Sequence, residues 1–259
     1  MNALNTRPCL FFGLVFLFSL PFWALAQFYP VFLMPGLPVS ALMVVAPLLA
    51  AAVLVAVTGG QAGLTRLLCD AVDLSRITPL AWVMSVITMP LIALACAIWL
   101  LLTGETLLAF TFTWAHAVLL FALFLLAALA EEIGWMGYAY GGLELRYGVL
   151  MAALWVGLIS ALWHLIPLLQ ANRSFLWIAA WGVASLARRV LLVWLYRYGG
   201  RSVFAVSVCH AMSNLSWQLF PEQGSHYDPA ITAAITAVLA LAAVLHHIRV
   251  SKNTTLCLR

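Results

Sequence analysis

The chain reads as an all-α protein, a polytopic transmembrane helix bundle of about eight spans with both termini cytoplasmic. Three observations carry that reading. Of its 259 residues, 66% are hydrophobic and only 8% are charged, against roughly 25% charged in a soluble domain. Apolar runs of about 20 residues, the length that crosses a hydrocarbon core, recur along the whole sequence. The few Lys and Arg residues fall almost entirely on one side of the implied membrane. The net charge of +4 is scattered, with no basic run longer than two. That is no nucleic-acid footprint, so the expected surroundings are a lipid bilayer.

The spans follow in order. The first, 9–27, starts after Arg7 and passes Ala24-Leu25-Ala26, which imitates a signal peptide with its cleavage site. Its length suits a span, and it is read as an uncleaved helix. The second, 38–58, stops at Gly59-Gly60, and the third, 79–102, stops at Thr103-Gly104-Glu105. The remaining spans are 113–132, 149–169, 175–196, 202–220 and 229–248, separated by turn and charge signals such as Glu144 to Gly148 and Gly199-Gly200. With the N-terminus inside, Arg7, Arg66, Arg76, Arg146, Arg197, Arg201, Arg249, Lys252 and Arg259 are cytoplasmic, and only Arg173 is outside. That bias sets orientation. No repeat or soluble domain is visible, so residues 1–259 form one membrane-embedded domain. The five cysteines are odd in number and lack a C-x-x-C spacing, which argues against a disulfide framework or a thiolate metal cage.

Glu131 and Glu132 stand out. They follow Thr113 to Ala130, where His116 is the one titratable side chain. A carboxylate near the bilayer centre costs about 2.5 to 3.5 kcal/mol, and two adjacent carboxylates also repel. The bland reading suffices for His116, a hydrogen-bonded core group, and for His246 and His247, interfacial anchors. It fails for three clusters: Glu131 to Tyr138, Ser160 to Pro167, and Cys209 to Leu215. In the last, His210 and Asn214 are four apart and share a helix face. Convergence of these groups would suit water activation by a carboxylate with histidine help and an oxyanion site of histidine and asparagine. It would equally suit a metal site with Glu and His ligands, or a proton or cation path.

In these residues the chain resembles the CPBP family of intramembrane proteases, also described as Abi or type II CAAX prenyl endopeptidase-like. The family pattern E-E-x-x-x-R, then a histidine motif, then H-x-x-x-N is matched in order and spacing, save its arginine, by Glu131-Glu132, His164, and His210 with Asn214. The family-like core covers approximately 55–220. The resemblance implies a membrane-embedded endopeptidase acting on a peptide or membrane-protein substrate, from an opening toward the cytoplasm, in the plasma (inner) membrane of a bacterium. It implies Glu131 as the base, acting with His164. Glu132 would orient the site, and His210 and Asn214 would hold the oxyanion. If a divalent metal such as zinc binds, its contacts would be Glu131, His164 and His210.

The motif arginine falls on Met136. Arg188 or Arg189 from the sixth span, or Arg146, would then have to pair the carboxylates. Arginine restored at Met136 is expected to leave activity unchanged or raise it. Without a compensating arginine, the chain would be an impaired relative acting as a binding or immunity protein. A proton-coupled transporter is the other alternative. Finally, a helix continuing past Glu132 through Tyr138 would bring the glutamates to the depth of His164, with Gly134 and Gly137 permitting a bend.

Overall fold

The computed structural model describes residues 6–107, 112–221, 223–224 and 226–257, the last four by backbone alone. Arg259 lies outside the described residues. In chain order the elements are α1 (Pro8–Phe28), a short hairpin β1 (Phe32–Met34) and β2 (Leu37–Pro38), a 3-10 turn (Val39–Val45) and α2 (Ala46–Ala71). Next come α3 (Pro79–Leu102), α4 (Trp114–Glu132), a π-helical segment (Ile133–Tyr140) and α5 (Gly141–Trp163). Then follow α6 (Leu165–Gln170), α7 (Phe175–Tyr198), α8 (Val203–Leu219) and α9 (Pro229–Cys257). The protein is an all-α membrane bundle apart from the hairpin.

Several spans begin where a hydroxyl caps the first turn. Thr78, Thr113, Ser174 and Ser202 accept from Ala81, His116, Trp177 and Ala205 N–H respectively. Each satisfies a donor that the helix leaves orphaned, which matters more beside lipid than in water.

Among the described residues six stretches are long and apolar enough to cross a membrane, against the eight expected. The difference has two sources. Trp114–Gln170 is one stretch of 57 residues, about 85 Å at 1.5 Å per residue, and takes in the fourth and fifth expected spans. It is interrupted at Gly148, whose φ of 78° only glycine adopts readily. The seventh expected span is α8, with 17 residues and much of its surface buried in protein.

Helix α4 does continue past Glu132. The widened π turn follows at once, and such turns concentrate at functional sites. Gly134 explains its close fit to α2: a Cβ there would lie 2.6 Å from the Pro47 carbonyl oxygen. Around it is the aromatic core. Phe11 lies 5.4 Å from both Trp135 and Tyr138, and Trp135 lies 5.7 Å from Trp163. Trp163 Nε1 donates to Ser19 Oγ at 2.7 Å, so α1 is fastened to α5 inside the bundle.

The two ends of the bundle differ. At one end lie the start of α1, the α2–α3 and α7–α8 turns, and the end of α9, with Arg7, Arg66, Arg76, Arg146, Arg197, Arg201, Arg249 and Lys252. Arg197 and Arg201 clasp Glu144 there at 2.5 and 2.7 Å. Asp73 holds the α2–α3 turn; hydrogen bonds from the Ser75 hydroxyl and amide, then the charge of Arg76, keep its carboxyl below the usual range. The opposite end carries the hairpin and the α6–α7 and α8–α9 turns, with Arg173. His246 and His247 are hydrogen-bonded to Trp194 and Tyr198 respectively. His116 is not a core group: it is exposed near the start of α4, because that turn faces away from the bundle.

Candidate active site

The functional residues come from four helices that meet in mid-bundle. Consecutive residues on a helix point about 100° apart, so Glu131 and Glu132 diverge. Glu131 faces a cavity of about 500 Å³. Glu132 points away from it, fully buried, toward α7 and α8. Arg188 and Arg189 diverge in the same way. Arg189 Nη1 donates to Glu132 Oε2 at 2.6 Å, with side-chain exposures of 5% and 0%. The other Glu132 oxygen, Oε1, is 2.9 Å from His210 Nδ1. A carboxylate only accepts, so Nδ1 carries the proton and Nε2 is left for the cavity that His210 lines.

Met136 leaves the carboxylate pair without its motif arginine, and Arg189 takes that place on Glu132. Met136 is itself 1% exposed and packs in the apolar core. Of the three arginines considered from sequence, Arg189 is the partner. Arg146 lies at the arginine-rich end, and Arg188 lines the cavity.

Glu131, His164, His210 and Asn214 all line that one cavity. Glu131 Oε2 is buried and has no hydrogen-bond partner. A carboxylate oxygen in that state is costly unless something else arrives to use it. His164 sits where α5 ends. Its Nδ1 is 2.8 Å from the Ser160 carbonyl oxygen, which only accepts. Nδ1 is therefore the donor, and Nε2 offers a lone pair. The ring is clamped between Trp163 and Trp181, at centroid distances of 4.7 and 5.1 Å. Four of the five predicted residues thus meet at the cavity, and the fifth, Glu132, supports it from behind.

Sequence reasoning missed three supports. Trp181 is one. The others are Ser185 and Ser213, which accept from Arg188 at 3.0 Å each. Ser185 sits three residues before Arg188, a spacing that a helix turns into contact. Nothing in the sequence announces Ser213.

Glu131, His164 and His210 have the chemistry of a zinc donor set, but their geometry does not gather them. Among the described residues no three His, Cys, Asp or Glu side chains come together as a group able to hold a metal ion. Cys9, Cys69, Cys96 and Cys209 are free thiols.

Comparison with known proteins adds two findings. Residues 111–216 match the family model described as type II CAAX prenyl endopeptidase Rce1-like, a segment that holds all five predicted site residues. A curated relative, "CAAX prenyl protease 2" of Methanococcus maripaludis, is 30% identical over 119 residues. That alignment covers 42% of this chain and 43% of the relative, so the chain spans less than half of the relative's length.

Proposed function

We propose, for a chain whose residues 111–216 match the type II CAAX prenyl endopeptidase Rce1-like family model, that it is an intramembrane endopeptidase which hydrolyses a peptide bond with water activated by Glu131. The observation that carries this is the unpartnered, buried Glu131 oxygen facing a cavity shared with His164, His210 and Asn214.

The mechanism follows from the proton positions. A water bound at the cavity floor donates one hydrogen to Glu131 and the other to the His164 Nε2 lone pair. Glu131 takes its proton as the water oxygen attacks the scissile carbonyl carbon. The developing oxyanion needs donors. The Asn214 amide supplies one. His210, held through Nδ1 by Glu132, supplies another when its Nε2 also carries a proton. The proton on Glu131 then passes to the leaving nitrogen and the C–N bond breaks. An acid and an amine are released, with the base restored. No step is routed through a metal, because the donor set does not form one ligand group.

The same site supports the protease reading over the impaired, immunity-type reading. The missing arginine motivates the latter, and against it Glu132 has an arginine partner in Arg189. Its surroundings are assigned as the plasma (inner) membrane of a bacterium, and its partner as a peptide or membrane-protein segment. The test is cleavage of a mixed peptide library by the purified protein in lipid. Cleavage by the wild type, lost in His164→Ala while insertion is retained, is the expected result. An active His164→Ala protein would remove His164 from the mechanism.

A further inference from the structure

Access to the cavity is set by which residues line its two ends. Its depth is marked by Glu131, Arg188 and His210, and it continues past Asn214 and Trp177 to Leu33, Gly36 and Arg173. Those last residues belong to the hairpin and the α6–α7 turn. Leu33 is 47% exposed, so this end reaches the surface. The other end is shut. Below Glu131 the chain enters the π segment, where Trp135, Tyr138 and Tyr140 are 0 to 3% exposed and none lines the cavity.

The shut end is also the arginine-rich end. Tyr138 Oη accepts from the Arg7 backbone N–H at 3.2 Å, which ties the closed floor to the start of α1. Among the described residues, the basic side chains of loops and helix ends lie on that side eight to one, with Arg173 alone beside the mouth. Cytoplasmic termini and a cytoplasmic opening, both expected from the sequence, therefore cannot hold together in this fold. The charge bias decides orientation, and the opening must then be on the opposite face.

We infer that the cavity opens to the extracytoplasmic face and takes its substrate there, as an extended apolar peptide segment of a secreted or membrane-anchored chain. This rests on the protease reading for what happens to the segment, but not for the side from which it comes. The rim fits such a partner. Val31, Phe32 and Leu33 are exposed along the hairpin, at 58, 44 and 47%. Arg173 is stacked on Trp177 at 4.7 Å and is the cation beside this apolar lip.

The test is side-specific labelling. In a background with the natural cysteines replaced by serine or alanine, three single-cysteine proteins are made: Leu33→Cys and Trp114→Cys on the mouth side, and Ser75→Cys in the α2–α3 turn. Trp114 and Ser75 are exposed, so neither change disturbs the core. Intact bacterial cells expressing each are treated with a membrane-impermeant maleimide. Labelling of Leu33→Cys or Trp114→Cys in intact cells, with Ser75→Cys labelled only after permeabilisation, is expected. Labelling of Ser75→Cys in intact cells, or of the mouth positions only after permeabilisation, overturns the inference. Labelling needs no activity. An inverted pattern with Glu131-dependent cleavage would defeat the access inference alone, and the expected pattern without cleavage would defeat the protease reading alone.

Discussion

Replacing Arg189 by methionine removes the cation that stands in for the motif arginine. The two charged groups are 2.6 Å apart and 5% and 0% exposed, so neither can turn to water. Taking away one member of such a pair leaves a buried carboxylate to be held by His210 alone. Buried pairs broken in this way lose about 3 to 5 kcal/mol. Exposed pairs give a contrast within the same molecule: Arg76 and Asp70 are 2.9 Å apart but 49% and 36% exposed, and such pairs contribute about 0 to 1 kcal/mol. Arg189→Met should therefore lower stability by about 3 kcal/mol or more, and Arg76→Met by under about 1 kcal/mol. The assay is unfolding of the lipid- or detergent-embedded protein against a denaturing detergent. The double variant Glu132→Gln/Arg189→Met should recover much of the loss, giving a coupling above about 1 kcal/mol in a double-mutant cycle. An Arg189→Met protein as stable as wild type, or a cycle without coupling, would refute the pairing as the reason for this geometry.

Three further outcomes are expected. Met136→Arg should destabilise the protein: Met136 is 1% exposed, both Glu132 oxygens are taken, and a second guanidinium would be buried without a place on Glu132. An unfolding midpoint equal to wild type would contradict that. Gly134→Ala should cost about 1 to 3 kcal/mol, since its Cβ would fall 2.6 Å from the Pro47 carbonyl oxygen; an unchanged unfolding midpoint would mean that α2 yields freely. Cleavage should persist when the purified protein is treated with a strong chelator, because no ligand trio is gathered among the described residues, and loss reversed by zinc would show that a metal assembles one.

The helices and their order were legible because lipid demands long apolar runs, and Thr78, Thr113, Ser174 and Ser202 announce where several of them start. The count of uninterrupted stretches was not, because the helical run Trp114–Gln170 is broken only in its backbone at Gly148 and α8 is short. At the site, motif spacing was enough to bring Glu131, His164, His210 and Asn214 to one cavity. Which glutamate faces it depends on the rotation of α4, and which of Arg188 and Arg189 pairs with Glu132 depends on the rotation of α7. Helix rotation is set by packing, and periodicity in a chain apolar on nearly every face leaves it open. Which end of the cavity is closed was not legible for a related reason: it depends on where Trp135, Tyr138 and Tyr140 stack, which is a tertiary fact.

The central claim is that Glu131 activates water. The measurement that tests it most directly is the cleavage rate of wild type beside Glu131→Gln in the same lipid, with unfolding followed in parallel. The substitution keeps the shape and removes the base. Cleavage should fall by about 10² to 10⁴-fold, while stability holds or rises, because the buried Glu131 oxygen has no partner to lose. Cleavage by Glu131→Gln within tenfold of wild type, a ratio set against that ~10²-fold lower bound, would contradict the account.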